Sequence, residues 1–161
     1  MKILIIEPPA VSKFGNQRIF GGNGSNKSDF RKPPLDLMMI SGYLRKEGFD
    51  NVLIDANAAR KNIDDIKKIL REEHPDIVFF STSTCTIYKD LLVAKAAKEA
   101  NPSVVTVALG THVMALPEDT FKESEYLDVI IYSNEWEQAA LNIVTHLSNL
   151  ENAKGIFLRK A

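Results

Sequence analysis

Six consecutive residues, Ser81-Thr82-Ser83-Thr84-Cys85-Thr86, place five hydroxyls and a thiol directly after an apolar run ending Val78-Phe79-Phe80. Hydroxyls both donate and accept hydrogen bonds, so the segment suits a nitrogen base or a phosphate. Turn residues and an N-cap for the next helix are the plainer reading, but capping needs only one or two of them. The expectation is mixed, with some side chains capping and some facing a ligand. A second candidate is Gly110-Thr111-His112, where glycine lets backbone approach a ligand closely and His112 can donate; a tight turn with an exposed histidine explains the same residues. The third is Ser133-Asn134-Glu135-Trp136-Glu137, whose N–H groups at a helix start suit an anionic group. Glu135 and Glu137 oppose an anion and read better as acids of a first helical turn. Asn134 and Glu137 also have the spacing of a capping box. Glu7 and Asp55 end two strands expected to be neighbours, where an acid–base pair and ordinary turn roles both stay open. His74, His112 and His146 are too dispersed for a histidine metal site.

Short β-branched runs alternate with helical patterns, the sequence form of βα units. Strands are expected at 2–7, 51–55, 76–81, 104–109 and 128–132, with a short strand pattern at 155–159. Helices are expected from Pro34 or Leu35 to Gly48, from an N-cap at Asn62 to His74, over 87–100, after Pro117, and from Glu135 to about Leu150. Pro8 to Pro33 has no helical period, and a loop that long inside a compact domain is usually functional or disordered. Five units of this kind predict an α/β, flavodoxin-like, doubly wound parallel sheet, order 2-1-3-4-5, in three α/β/α layers. Ligands of such sheets bind beyond the C-terminal strand ends, where the winding reverses. Pro8, Pro9 and the three polar segments above all fall on that rim.

The chain has 161 residues, the length of a single domain over 1–161 with its own core. A formal net charge of −1 provides no general attraction to nucleic acid or to a membrane. Nothing approaches the roughly 20 apolar residues of a spanning helix, and the N-terminal apolar run is too short for a signal peptide. The expectation is a soluble, cytoplasmic protein. A single cysteine, Cys85, rules out an internal disulfide and an all-cysteine metal or iron–sulfur site.

Two relatives with this architecture fail on residues. A phospho-receiver domain needs acids after the first strand and an aspartate at the end of the third, where this chain has Pro8-Pro9 and Ser81. A flavodoxin needs a hydroxyl-rich loop after the first strand, where this chain opens Pro-Pro-Ala-Val. Gly21-Gly22-Asn23-Gly24 lacks dinucleotide-fingerprint spacing and has no helix directly behind it.

An ordered set of short segments resembles the N-terminal cobalamin-binding domain of radical-SAM enzymes, the methyltransferase and anaerobic Mg-protoporphyrin ester cyclase group. The segments are Pro8-Pro9, Pro33-Pro34-Leu35-Asp36-Leu37, Gly42-Tyr43-Leu44-Arg45, Gly48-Phe49, Val52 to Ala56 and Pro75-Asp76-Ile77-Val78. Leu109-Gly110-Thr111-His112, Ala115-Leu116-Pro117-Glu118, Asp128-Val129-Ile130, Glu135, Glu137 and Gly155-Ile156 complete it. The resemblance implies cobalamin as cofactor, its corrin across the C-terminal edge of the sheet and its nucleotide tail in a cleft. It implies contacts from Pro8, Pro9, Ser81, Thr82, Ser83, Thr84, Gly110, Thr111, His112, Ser133 and Asn134. The DxHxxG signature of the mutase relatives is absent after the first strand, so no protein imidazole is expected on cobalt.

The cluster motif CxxxCxxC is also absent, so iron–sulfur cluster and S-adenosylmethionine would belong to a C-terminal radical-SAM domain outside this chain. The chain then reads as a fragment, without catalysis of its own. Family members usually carry Gly-Gly at Gly110-Thr111 and often a glycine near Ser133-Asn134. Those departures favour an alternative, a cofactor-free interaction or substrate-presenting module on the same fold. A small enzyme using the same rim ranks last, because no nucleophile–base pair supports it.

Overall fold

The computed structural model describes residues 1–18, 24–25, 29 and 31–159. Its first strand, β1 (Ile3–Glu7), is buried at every position, as a strand covered on both faces must be. Side chains alternate across it: Leu4 and Ile6 enter one core, Ile3 and Ile5 the other. The remaining strands are β2 (Asn51–Asp55), β3 (Ile77–Ser81), β4 (Val105–Leu109), β5 (Val129–Ile131) and β6 (Ile156–Leu158). They lie in the order β2-β1-β3-β4-β5-β6. β1 to β5 run parallel, and β6 pairs antiparallel with β5. The expected doubly wound order holds, with β6 added at one edge.

The helices are α1 (Leu35–Lys46), α2 (Ile63–Glu73), α3 (Ile87–Asp90), α4 (Leu92–Ala100), α5 (Thr111–Ala115), α6 (Pro117–Glu123) and α7 (Trp136–Thr145). Leu37, Ile40 and Leu44 of α1 join Ala140 and Ile143 of α7 over Phe79 and Val107. On the opposite face, Ile66 and Leu70 of α2 join Val93 and Ala97 of α4 over Phe80 and Ala108. These two cores give the three layers.

Local chemistry sets the ends of α2 as expected. Asn62 Oδ1 accepts from the Asp64 and Asp65 backbone N–H groups at 2.8 and 3.0 Å. Asp65 Oδ2 accepts the Asn62 N–H at 2.8 Å, which completes a capping box. His74 then turns left-handed with φ 45°, and Pro75 follows.

Three boundaries differ from the sequence expectation. The helix over 87–100 is broken at Leu91, whose φ −62° and ψ −18° lie nearer a 3₁₀ turn. The Asn134–Glu137 capping box does not form, because the helix begins one residue later, with Glu135 at the N-cap. The Glu135 N–H donates to Ser133 Oγ instead, at 3.0 Å. α7 ends at Thr145, and a 3₁₀ turn over Leu150–Asn152 carries the chain toward β6.

Within the long loop, Asn16–Gln17 pairs antiparallel with Gly24–Ser25. Gly21 and Gly22 lie outside the described residues. Asn57 Oδ1 accepts the Asn16 N–H at 3.1 Å, and Asn57 Nδ2 donates to Asn16 O at 2.7 Å. One side-chain amide thus ties the loop to the turn after β2. No described helix is long and apolar enough to cross a membrane.

The α2 cap is solvent-exposed and separate from the rim. Asn62→Ala is expected to cost about 1 kcal/mol in urea unfolding, with the denaturant slope unchanged; no loss would show that the capping box carries no net stability.

Candidate functional site

β1, β3 and β4 end side by side, with Ile6 opposite Phe80, and Ser81 opposite Leu109. That register puts Glu7, Ser81 and Gly110 on one rim. Arg18 from the long loop lies among them with its side chain only 1% exposed. Its Nη1 donates to Glu7 Oε1 at 2.9 Å and to Pro8 O at 3.1 Å. Nη2 donates to Pro9 O at 2.9 Å and Asp90 Oδ1 at 2.8 Å, and Nε reaches the same Asp90 oxygen at 3.1 Å. Pro8 and Pro9, expected to meet a cofactor, therefore turn their carbonyls to this guanidinium.

The hydroxyls of Ser81–Thr86 divide. Ser81 donates to Glu7 Oε2. Thr82 donates to Leu109 O at 2.9 Å. Ser83 and Thr86 share a hydrogen bond of 2.8 Å, and Thr86 donates to Asp90 Oδ2 at 2.5 Å. The Ser83 backbone N–H also reaches Asp90 Oδ2, at 3.1 Å. Ser81, Thr82, Ser83 and Thr86 are buried, whereas Thr84 and Cys85 are exposed. Thr84 Oγ1 lies 3.2 Å from His112 Nδ1.

Two buried carboxyls share one guanidinium. Burial pushes Glu7 above the usual carboxylate range, against the pull of Arg18 and Ser81. Burial likewise raises Asp90, against Arg18, Thr86 and Ser83. Asp90 accepts from Arg18 and the Ser83–Thr86 turn, and Glu7 from Arg18 and Ser81, so the two carboxyls, both raised by burial, titrate as a coupled pair.

Gly110 has φ 135°, and a Cβ there would lie 2.6 Å from Thr82 O. The close approach that requires glycine is thus made by the chain's own backbone. Immediately after it, α5 replaces the expected turn and turns Thr111 outward. Thr111 and Met114 line a groove of about 760 Å³ together with Leu35 and Met39 of α1 and Trp136 of α7. Asp36, Asn134 and Glu137 add polar groups to its lining.

The structure therefore brings Thr111 and Asn134 to the groove. Ser81 instead borders a space of about 10 Å³ beside Glu7 and Arg18. Ser133 bonds locally, and His112 turns toward Thr84 rather than lining the groove. Among the described residues, no group of three His, Cys, Asp or Glu side chains is arranged to hold a metal ion.

Sequence reasoning missed Arg18 and Asp90. A signal existed for Asp90: it sits among Ile87, Leu91 and Ala94 on an apolar helical stripe, and an acid there demands a partner. Arg18, in a loop without periodicity, gives no such signal.

Arg18→Met strands two buried carboxyls and is expected to cost about 3–5 kcal/mol; a loss below about 1 kcal/mol in urea unfolding would show the network open in solution. A carboxyl raised in the folded state binds its proton more tightly there than in the unfolded chain. Its contribution is complete below the ordinary glutamate range and is lost as pH rises toward the folded value. Stability should therefore fall as pH rises above about 4.3, and Glu7→Gln should flatten that fall; a Glu7→Gln profile parallel to the parent would place the proton elsewhere.

Residues 25–141 match the B12 binding domain family. The chain is 35% identical over 156 residues to an uncharacterized methyltransferase of Pyrococcus horikoshii, covering 97% of this chain and 31% of that protein. It is 34% identical over 114 residues to the anaerobic magnesium-protoporphyrin IX monomethyl ester cyclase of Rubrivivax gelatinosus, covering 70% of this chain and 20% of that protein. The fold also superposes on apo OxsB, a cobalamin-dependent S-adenosylmethionine radical enzyme, with a TM-score of 0.69 at 18% identity. That superposition covers 99% of this chain and 20% of OxsB, so the chain spans a third or less of each of these proteins. With nearly three-quarters of its length matched, the chain belongs to the B12-binding-domain family.

Proposed function

We propose that this domain holds cobalamin at the C-terminal rim, with the corrin over the groove between α1, α5 and α7, and serves a radical-SAM domain of the same protein. The groove carries the reading. Its walls are apolar at Leu35, Met39, Met114 and Trp136, and polar at Thr111 and Asn134. Those surfaces suit a flat macrocycle with amide-bearing edges. The rim between β1 and β3 suits it less, because Arg18 leaves only about 10 Å³ there.

When bound, the cofactor supplies alkyl-transfer and one-electron chemistry, and the protein supplies position. In this reading Met39, Met114 and Trp136 exclude water from one face, while Thr111 and Asn134 orient the edge. No histidine lines the groove. His112 pairs with Thr84, and His74 and His146 follow the C-terminal ends of α2 and α7, at the opposite edge of the sheet. Cobalt would therefore carry no protein imidazole. Leu35, Met38, Met39 and Leu116 are half-exposed around the groove, an apolar surface for the partner domain to cover.

The inward-turned hydroxyls and the Arg18 plug favour a second reading, the same fold without cofactor. Gel filtration of the chain with hydroxocobalamin separates the two. Co-elution near one equivalent is expected; no retention at high cofactor supports the cofactor-free module. Thr111 is exposed, so Thr111→Trp should fill the groove and abolish retention with stability changed by less than about 0.5 kcal/mol. Electron spin resonance of the Co(II) complex with ¹⁵N-labelled and unlabelled protein should give identical superhyperfine patterns; a labelling-dependent pattern would place a protein nitrogen on cobalt.

A further inference from the structure

Among the described residues, the ionisable ones lining the groove are Asp36 and Glu137, both acidic. Asp36 stands in the first turn of α1 and Glu137 in the first turn of α7, and both line the groove. Among the described residues, no lysine or arginine lines it. Lys46 lies at the far end of the adjoining cavity along the α1–α7 seam, and Lys32 borders the Arg18 space on the other side of Asp36. Glu135 adds a third carboxylate where that seam meets the groove.

Partial burial and the nearby Glu137 push the Asp36 carboxyl up. The groove thus already resists one of its own negative charges, first by desolvation and then through Glu137, and both effects act on any anion that enters. A neutral primary amide meets the opposite response, because its N–H groups donate to these carboxyl oxygens.

Tetrapyrroles divide along this line of chemistry. Some carry free carboxylates around the macrocycle, and others carry amides. We infer that Asp36 and Glu137 make the groove selective for a macrocycle whose edge is amidated, and reject one whose edge bears carboxylates. The inference rests on the cobalamin reading above and adds to it a specificity rule held by two residues. The helix dipoles at the starts of α1 and α7 offset part of the acidic charge, so the discrimination should be moderate and sensitive to salt.

A matched pair of tail-free corrins tests it, since both keep cobalt and the ring. Dicyanocobinamide carries amides; dicyanocobyrinic acid carries carboxylates. In low salt at neutral pH, the chain is expected to bind the amide form about tenfold more tightly. Raising salt to 0.5 M should narrow that ratio, and Asp36→Asn/Glu137→Gln should bring it to within about threefold, chiefly through better binding of the acid. Glu137→Gln alone, at a surface position, should move it part of the way. Equal affinities in the parent chain, or a ratio unchanged by the substitutions, would overturn the inference and leave cobalamin binding standing. If hydroxocobalamin and both tail-free corrins fail to bind, the cobalamin reading falls, and the specificity rule falls with it.

Discussion

A guanidinium buried between two carboxyls holds the rim of this domain together. Arg18 joins β1 through Glu7, the start of the long loop through the Pro8 and Pro9 carbonyls, and the β3–α3 turn through Asp90. Taking such a cation out of water costs several kcal/mol, which only well-aligned partners offset. The partners here are preassembled by the sheet: β1 and β3 are adjacent and in register, and the Ser83–Thr86 turn fixes Asp90 from the other side. With Arg18 in place, the gap where the winding reverses is filled, and the accessible surface shifts toward α1, α5 and α7.

That shift sets the character of the site. Between the strand ends, polar atoms satisfy one another and little room is left for a ligand. In the groove, methionine, leucine and tryptophan side chains supply most of the lining, and Asp36 and Glu137 add two carboxyls. The rim therefore has a closed polar half and an open apolar half, built from neighbouring turns of the same sheet.

Much of the architecture was legible in the residues. Apolar runs bounded by Asn, Pro and Gly located the strands, and Asn62 marked a helix start that the structure reproduces, with Asp65 completing the cap. The relationship to cobalamin-binding domains was also legible, from the order of many individually weak segments. The destination of the hydroxyls was less so. Ser81, Thr82 and Ser83 have the composition of a ligand-facing segment, yet Ser81 and Thr82 bond to Glu7 and Leu109, far away in the chain, and Ser83 to Thr86 of its own turn. Composition cannot tell a hydroxyl awaiting a ligand from one already satisfied by a distant carbonyl. The groove was hidden for a similar reason: Leu35 and Trp136 read as ordinary residues at helix starts, and Met114 lies in a helix the sequence did not announce, so the lining emerges only when three helices are brought together.

Gly110 interlocks with the Thr82 carbonyl with no room for a Cβ. The fold demands that glycine whether or not anything is bound above it, so its presence in a chain of this type is no marker of cofactor use. The neighbouring position is different. Thr111 is exposed at the start of α5, where no close packing restricts its size, so substitutions there are freer to follow the ligand. Chains that keep the cofactor and chains that have abandoned it should diverge at position 111, not at 110.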